Sequence, residues 1–199
     1  MDGSDQIQTC GHSSVLEYKN KPFSVIESGM SEIRLINPAD YPELVSIYNY
    51  YIENTPITFD LVPYTIESRT PWFEQFEPNS RYACFVAVEE GRVLGYANSS
   101  RFRPKAAYGT SVESSVYLHP DATGRGLGHR LYETLFDYLA QRQDVHKIYA
   151  GVTLPNDAST ALHERVGFER CGLFKEVGYK FDQFWDVQWY EKLSQHQPE

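Results

Sequence analysis

The segment Thr123-Gly-Arg-Gly-Leu-Gly128 constrains this chain more than any other. It sits between a β-rich run, Ser111–Leu118, and a helical run, Gly126–Gln141. Alternate glycines ahead of a helix let backbone N–H groups approach an anion, and the helix dipole favours a pyrophosphate there. No Lys-Ser/Thr pair closes the loop, which excludes a Walker A site. The dinucleotide fingerprint fails as well, because its last glycine falls on His129. Taken alone, the motif is also what an ordinary glycine-rich turn would show.

The flanking pattern gives the turn its context. Ile33 and Leu35 suggest a first strand. Asp40-Tyr-Pro-Glu43 reads as a helix start, with Asp40 as cap and Glu43 at the capping-box position. Leu44, Ile47, Tyr48, Tyr51 and Ile52 follow at helical spacing. Thr55–Asp60 breaks the helix, and a second helix is expected over Ile66–Phe76. Tyr82–Glu89 and Arg92–Ser99 form a hairpin about Glu90-Gly91. Arg101–Gly109 is a basic linker. Leu127, Leu131, Leu135 and Leu139 line one face of the helix after the glycine loop. Lys147–Thr153 is a strand. Asp157–Val166 is a helix with Ala158, Ala161, Leu162 and Val166 inward, and Gly167 caps it. Phe168–Phe174 and Phe184–Tyr190 are strands. The order β-α-α-β-β-β-α-β-α-β-β predicts an α/β (α+β) chain: a mixed sheet with helices over its faces. Residues 1–29 read as an N-terminal extension, 30–193 as one domain and 194–199 as a tail.

Charge and cysteine usage narrow the function. The net charge of −9 argues against nucleic-acid binding and against docking on an anionic membrane. Cys10, Cys84 and Cys171 form no CxxC pair, which suits a reducing compartment and offers no metal cluster. No apolar run spans a bilayer and the start lacks a signal pattern, so a cytoplasmic protein is expected. The Asn98-Ser-Ser100 sequon would then be silent.

Three further constellations carry chemistry. Strand alternation puts Glu113 on the face opposite Val112 and Val116, where a carboxylate must be solvated, paired or used as a base. Asn156 stands at a strand-to-helix turn, as a cap or a ligand contact, and His163 follows beside Leu162. Arg101, Arg103 and Lys105 stand close together on an acidic chain, as a solvated loop or an anion pocket.

Taken together, these segments resemble the GNAT-type acetyl-CoA-dependent N-acetyltransferases, and within them the phosphinothricin / methionine sulfoximine acetyltransferase family. The resemblance spans about residues 32–191. It rests on Ile47–Tyr50, Thr55–Phe59, Val93–Ala97, Phe102–Tyr108, Ser111–Leu118, Arg125–Gly128, Leu154–Asp157, Leu162–Glu164, Val177–Lys180 and Trp185–Val187. It implies a mostly antiparallel twisted sheet of six to seven strands with about four helices. It implies that amides of Thr123, Gly124, Arg125, Gly126, Leu127 and Gly128 hold the pyrophosphate of acetyl-CoA. Val116, Tyr117 and Leu118 would pair with the pantetheine arm, which Asn156 and Ser159 would also contact. Glu113 and His163 match the catalytic positions, His163 acting as acid or as base. Arg103, Lys105 and Tyr108 fall where an acceptor such as phosphinothricin, methionine sulfoximine or methionine sulfone is held. No metal is implied, and a homodimer is. Position 123 is Thr where the superfamily usually has Gln or Arg. Position 163 is His, as in this subfamily, where many relatives have Tyr. Two alternatives remain: a different small amine as acceptor, or an acetyl-CoA-binding sensor without turnover.

Overall fold

The computed structural model describes residues 31–195. The expected extension, with Cys10, and the last four residues of the tail lie outside them. The elements run β1 (Glu32–Leu35), α1 (Tyr41–Asn54), α2 (Ile66–Phe73), β2 (Cys84–Glu89), β3 (Arg92–Arg101), β4 (Ser111–Leu118), α3 (Leu127–Ala140), β5 (Lys147–Leu154), α4 (Asp157–Arg165), β6 (Glu169–Lys180) and β7 (Gln183–Leu193). They form one seven-stranded sheet of order β1-β2-β3-β4-β5-β7-β6. Every neighbouring pair is antiparallel except β4–β5. Among the described residues no helix is long and apolar enough to cross a membrane.

Helices cover both faces. The leucine stripe of α3 is fully buried at Leu131, Leu135 and Leu139, against Phe85, Ala97, Val112 and Ile148 of the sheet. Burial of each such leucine is worth about 1.5–3 kcal/mol. Leu44, Val45 and Ile47 of α1 and Phe73 of α2 pack on the other face, against Cys84, Val86 and Tyr96. The unbroken apolar run of β2 reflects this double cover, since odd and even residues both meet a helix.

The β2–β3 turn is the expected two-residue one. Glu90 has φ 51° and Gly91 has φ 80°. Positive φ at both central residues is what a turn matched to strand twist requires. The register then slips between Ala87 and Val88, which leaves Leu94 as an extra residue in β3.

Three expectations need correction. Asp40 does not cap α1 with its side chain. Its carboxylate is engaged by Arg34 at 2.7 and 2.8 Å and by the Asn37 N–H. Burial alone would raise this carboxyl, but the Arg34 and Asn37 hydrogen bonds and the Arg34 charge hold it below its usual value. Ala158 and Ala161 face outward rather than inward, and His163 is the buried residue of α4. The strand expected from Ile33 and Leu35 is β1, with Ile33 packed on the core and Leu35 exposed. The strand expected to stop at Phe174 continues to Lys180, through an irregularity between Phe174 and Gly178. There Glu176 has φ 53° and its N–H donates to the Asp186 carboxylate at 2.7 Å.

Candidate active site

The parallel pair β4–β5 holds together only from Ser111↔Lys147 to Glu113↔Tyr149. Beyond Glu113 the two strands diverge. β5 keeps its partner β7 along its whole length, and β4 keeps β3, so the sheet opens as a wedge. The His119 N–H donates to Leu94 O on the β3 side at 2.8 Å. Alternation along the strand therefore turns the amides of Val116 and Leu118 into the wedge, and that of Tyr117 toward β3. The Leu118 carbonyl faces the wedge too, where it accepts from the Tyr51 hydroxyl at 2.7 Å.

The wedge widens into a groove of about 670 Å³ lined by Val116, Tyr117 and Leu118, by residues of the glycine loop and by one face of α4. Gly124 and Gly126 have φ of 74° and 76°, and a Cβ on either would meet only open space. Both glycines therefore answer to backbone conformation rather than to crowding. No side chain caps the N-terminus of α3, so its first N–H groups point out unengaged by a cap. Such a terminus suits a pyrophosphate. The Arg125 side chain is occupied elsewhere, 2.6 Å from Glu89, and the Thr123 hydroxyl donates to Pro120 O. Both residues can serve the groove only through their backbone. Ala158 and Ala161 line it as well, which explains their outward facing.

Asn156 does cap α4: its Oδ1 accepts from the Ser159 N–H at 3.1 Å. Both residues also line the groove. His163 is 3% exposed. Its Nδ1 lies 2.7 Å from the Ser159 carbonyl oxygen, and its Nε2 lies 3.1 Å from the Tyr132 hydroxyl. Burial pushes the imidazole below its ordinary pKa, with the Ser159 carbonyl pulling the other way.

Glu113 lies at the apex of the wedge, half-buried, on the face opposite Val112 and Ser114. Burial pushes its carboxyl above the ordinary value, and the Arg103 charge draws it partly back. The Arg103 guanidinium lies 4.4 Å over the Phe102 ring and 5.3 Å from that of Trp189. Both contacts are within cation–π range. Phe102 in turn stacks on Tyr149, the register partner of Glu113, at 4.4 Å. The basic loop is thus laid beside Glu113. Lys105 and Tyr108 are exposed on the same loop, with Tyr108 6.0 Å from Phe102. Glu113, Arg103, Lys105 and Tyr108 do not line the groove, so the two halves of the site meet only at the wedge. No group of three or more metal-ligating side chains occurs among the described residues.

Sequence reasoning missed Ile57, Tyr51 and Tyr132. Ile57 lines the groove from the α1–α2 loop. That loop is anchored by the Thr153 hydroxyl on Ile57 O and by buried Lys180, whose Nζ donates to Thr58 O at 2.8 Å. Phe59 lies so close against Gly178 that a Cβ there would run into its ring. Tyr132 stands in the buried stripe of α3 beside Leu131, and that placement was its one available signal.

Residues 44–168 match the model of the acetyltransferase (GNAT) family. The chain is 49% identical over 155 residues to a phosphinothricin N-acetyltransferase of Streptomyces coelicolor, covering 77% of this chain and 90% of that one. It is 35% identical over 158 residues to an L-methionine sulfoximine/L-methionine sulfone acetyltransferase of Pseudomonas paraeruginosa, covering 79% and 91%. The crystal structure of a phosphinothricin acetyltransferase from Sinorhizobium meliloti, in complex with acetyl-CoA, superimposes with a TM-score of 0.76. It is 30% identical and covers 82% of this chain and 88% of that one.

Proposed function

From the premise that this chain belongs to the GNAT family and is an acetyl-CoA-dependent N-acetyltransferase, we propose that its acceptor is the α-amino group of a small amino acid. Phosphinothricin, methionine sulfoximine and methionine sulfone are the acceptors of choice, and transfer is direct, within a ternary complex. One observation carries the proposal. A groove suited to acetyl-CoA and a raised-pKa carboxylate beside a cation meet at a single opening of the sheet. The names of the two relatives point to the same acceptors.

The groove offers amides from Thr123 to Gly128 for the pyrophosphate, the open edge of β4 for the pantetheine arm, and Asn156 and Ser159 opposite. Glu113 takes a proton from the arriving ammonium. An α-amino group of pKa about 7.7–8.0 is roughly a tenth neutral at pH 7, so modest general-base help suffices. The Leu118 amide supplies a donor for the oxyanion that develops on the acyl oxygen. Arg103, with Lys105 and Tyr108 on its loop, binds the acceptor's anionic or tetrahedral head.

Free thiol release from acetyl-CoA tests this. Release with phosphinothricin, methionine sulfoximine and methionine sulfone, but not with plain amino acids or spermidine, is the expected result. Release with another amine alone discards the substrate, and release with none discards the enzyme in favour of a sensor. Arg103→Ala is expected to raise the acceptor KM about tenfold, as loss of one charge-assisted contact should, and to leave the acetyl-CoA KM unchanged. Equal effects on both would remove Arg103 from the acceptor site.

The protein acts as a homodimer in this proposal. Leu173, Phe174, Val177, Tyr179, Phe181 and Phe184 are all exposed on the β6–β7 edge of the sheet. Exposed large apolar side chains gathered at one edge suit a partner chain. Sedimentation should give twice the 22.9 kDa chain mass; a monomer at micromolar concentration overturns it. The exposed free thiol of Cys171 suits the reducing cytoplasm as its location.

A further inference from the structure

We propose that Arg165 binds the 3′-phosphate of coenzyme A and makes the groove selective for the phosphorylated form of the cofactor. The proposal rests on the acetyl-CoA reading of the groove given above and adds the group that holds the nucleotide end.

The first observation is order along the groove. On one wall, Val116 and Tyr117 line both the groove and a cavity of about 50 Å³ at the root of the wedge, whereas Leu118, Pro120 and Gly124 line the groove alone. On the other wall, Asn156 and Ser159 line both, whereas Ala161, Leu162 and Arg165 line the groove alone. The two walls therefore run outward from the wedge in the same direction. Arg165 ends one of them, about 9 Å along the helix axis from Ser159, and the glycine loop ends the other. Leu162 ties the two ends together, since a Cβ on Gly128 would lie 3.1 Å from Leu162 Cδ2. Ala158, Ala161, Leu162 and Arg165 recur at helical spacing, so the face of α4 that borders the groove ends on a cation.

The second observation is charge. No aspartate or glutamate lines the groove, although the chain carries a net charge of −9. Two of its lining residues can be cationic, His129 and Arg165. His129 already has the Glu133 carboxylate 3.0 Å from Nδ1. The arginines nearby are engaged as well: Arg125 by Glu89, Arg130 by the Ser31 hydroxyl and carbonyl at 2.7 Å each, and Arg170 by Glu164 at 2.6 Å. Glu164, the neighbour of Arg165 in sequence, is thus taken. Among the described residues the Arg165 guanidinium has no carboxylate, carbonyl or aromatic ring as partner.

The third is the chemistry of the ligand. Coenzyme A carries its negative charge on the pyrophosphate and on the 3′-phosphate of the ribose beyond it. Backbone amides at the start of α3 suit the first. They leave the second, a monoester with a charge of about −1.5 to −2 at pH 7. A guanidinium presents paired N–H donors that match phosphate oxygens. Arg165 also complements the C-terminal dipole of α4, but that role does not depend on which ligand is bound.

Calorimetric titration with coenzyme A and with 3′-dephospho-coenzyme A tests the assignment in wild type, Arg165→Gln and Arg165→Lys. Wild type should bind coenzyme A about tenfold more tightly than the dephospho form, as one charge-assisted contact implies. That preference should shrink as salt is added. Arg165→Gln should lose the tenfold for coenzyme A and bind the dephospho form as wild type does. Arg165→Lys keeps the charge without the fork and should fall between. Arg165 is exposed, so Tm should stay close to wild type; if Arg165→Gln fails to fold, Arg165→Lys carries the comparison. Equal wild-type affinity for the two ligands overturns the assignment and leaves the acetyl-CoA reading intact. So does a preference retained in Arg165→Gln, or a loss in that variant equal for both ligands, which would put the guanidinium on the pyrophosphate. A wild-type protein that binds neither ligand overturns the cofactor reading as well.

Discussion

Glu113→Gln is expected to lower kcat by about 10²–10⁴, the range of general-base help, with acetyl-CoA affinity within a factor of about two of wild type. The reason is position. Glu113 is the last residue of β4 still paired to β5, so its carboxylate sits at the apex of the opening rather than along the groove. Glutamine keeps the shape and one acceptor atom but cannot take a proton. The pH profile gives a second check. Burial, partly offset by Arg103, raises this carboxyl. The acid limb of kcat/KM should therefore lie above the ordinary glutamate value of about 4.3. Activity falls as pH drops through that limb, because the base is then protonated. The limb should vanish in Glu113→Gln. Steady-state kinetics across pH and calorimetric titration with acetyl-CoA measure both. Wild-type turnover in the variant would leave Glu113 a solvated strand residue.

The second large effect is expected at a residue without a side chain. Gly95 is the register partner of Leu118. A Cβ on it would lie 2.5 Å from Leu118 Cδ2, 2.7 Å from Tyr117 O and 3.0 Å from Leu118 Cα. The leucine side chain can turn aside, but the two backbone atoms cannot. Gly95→Val must therefore push β4 outward where it presents the Leu118 amide and carbonyl to the wedge. Overpacking of this kind costs about 1–3 kcal/mol. We expect Tm to fall by about 2–4 °C per kcal/mol. We also expect acetyl-CoA affinity to drop about tenfold, the equivalent of about 1.4 kcal/mol. A lowered Tm with unchanged affinity would show that the open edge of β4 does not hold the pantetheine arm.

Much of the frame was legible because local rules and tertiary demands agree. β4 has its expected bounds, Ser111–Leu118, and the Glu90-Gly91 turn has its expected conformation. Glu113 could be singled out because a charge inside an alternating strand is costly unless used. The misses share one cause. Asp40 has the chemistry of a helix cap, but Arg34 offers it a stronger partner across the chain. Ala158 and Ala161 look like core residues, and they face a groove that only the divergence of β4 and β5 creates. β6 carries no clean alternation because several of its apolar residues stay exposed at the sheet's edge, so its last six residues gave no period to read. The Tyr132–His163 contact joins residues 31 apart, and no local pattern encodes it.

The divergence at Glu113 also writes two kinds of amide into a single strand. In β4 the Tyr117 N–H is directed to β3, while those of Val116 and Leu118 open onto the groove. Hydrogen exchange should therefore alternate residue by residue along the strand: slow at 117, fast at 116 and 118. A bound pantetheine arm would even out that pattern without moving a helix. An edge strand inside a sheet, which would be an aggregation hazard at the rim, is here a recessed row of donors that reports its own occupancy.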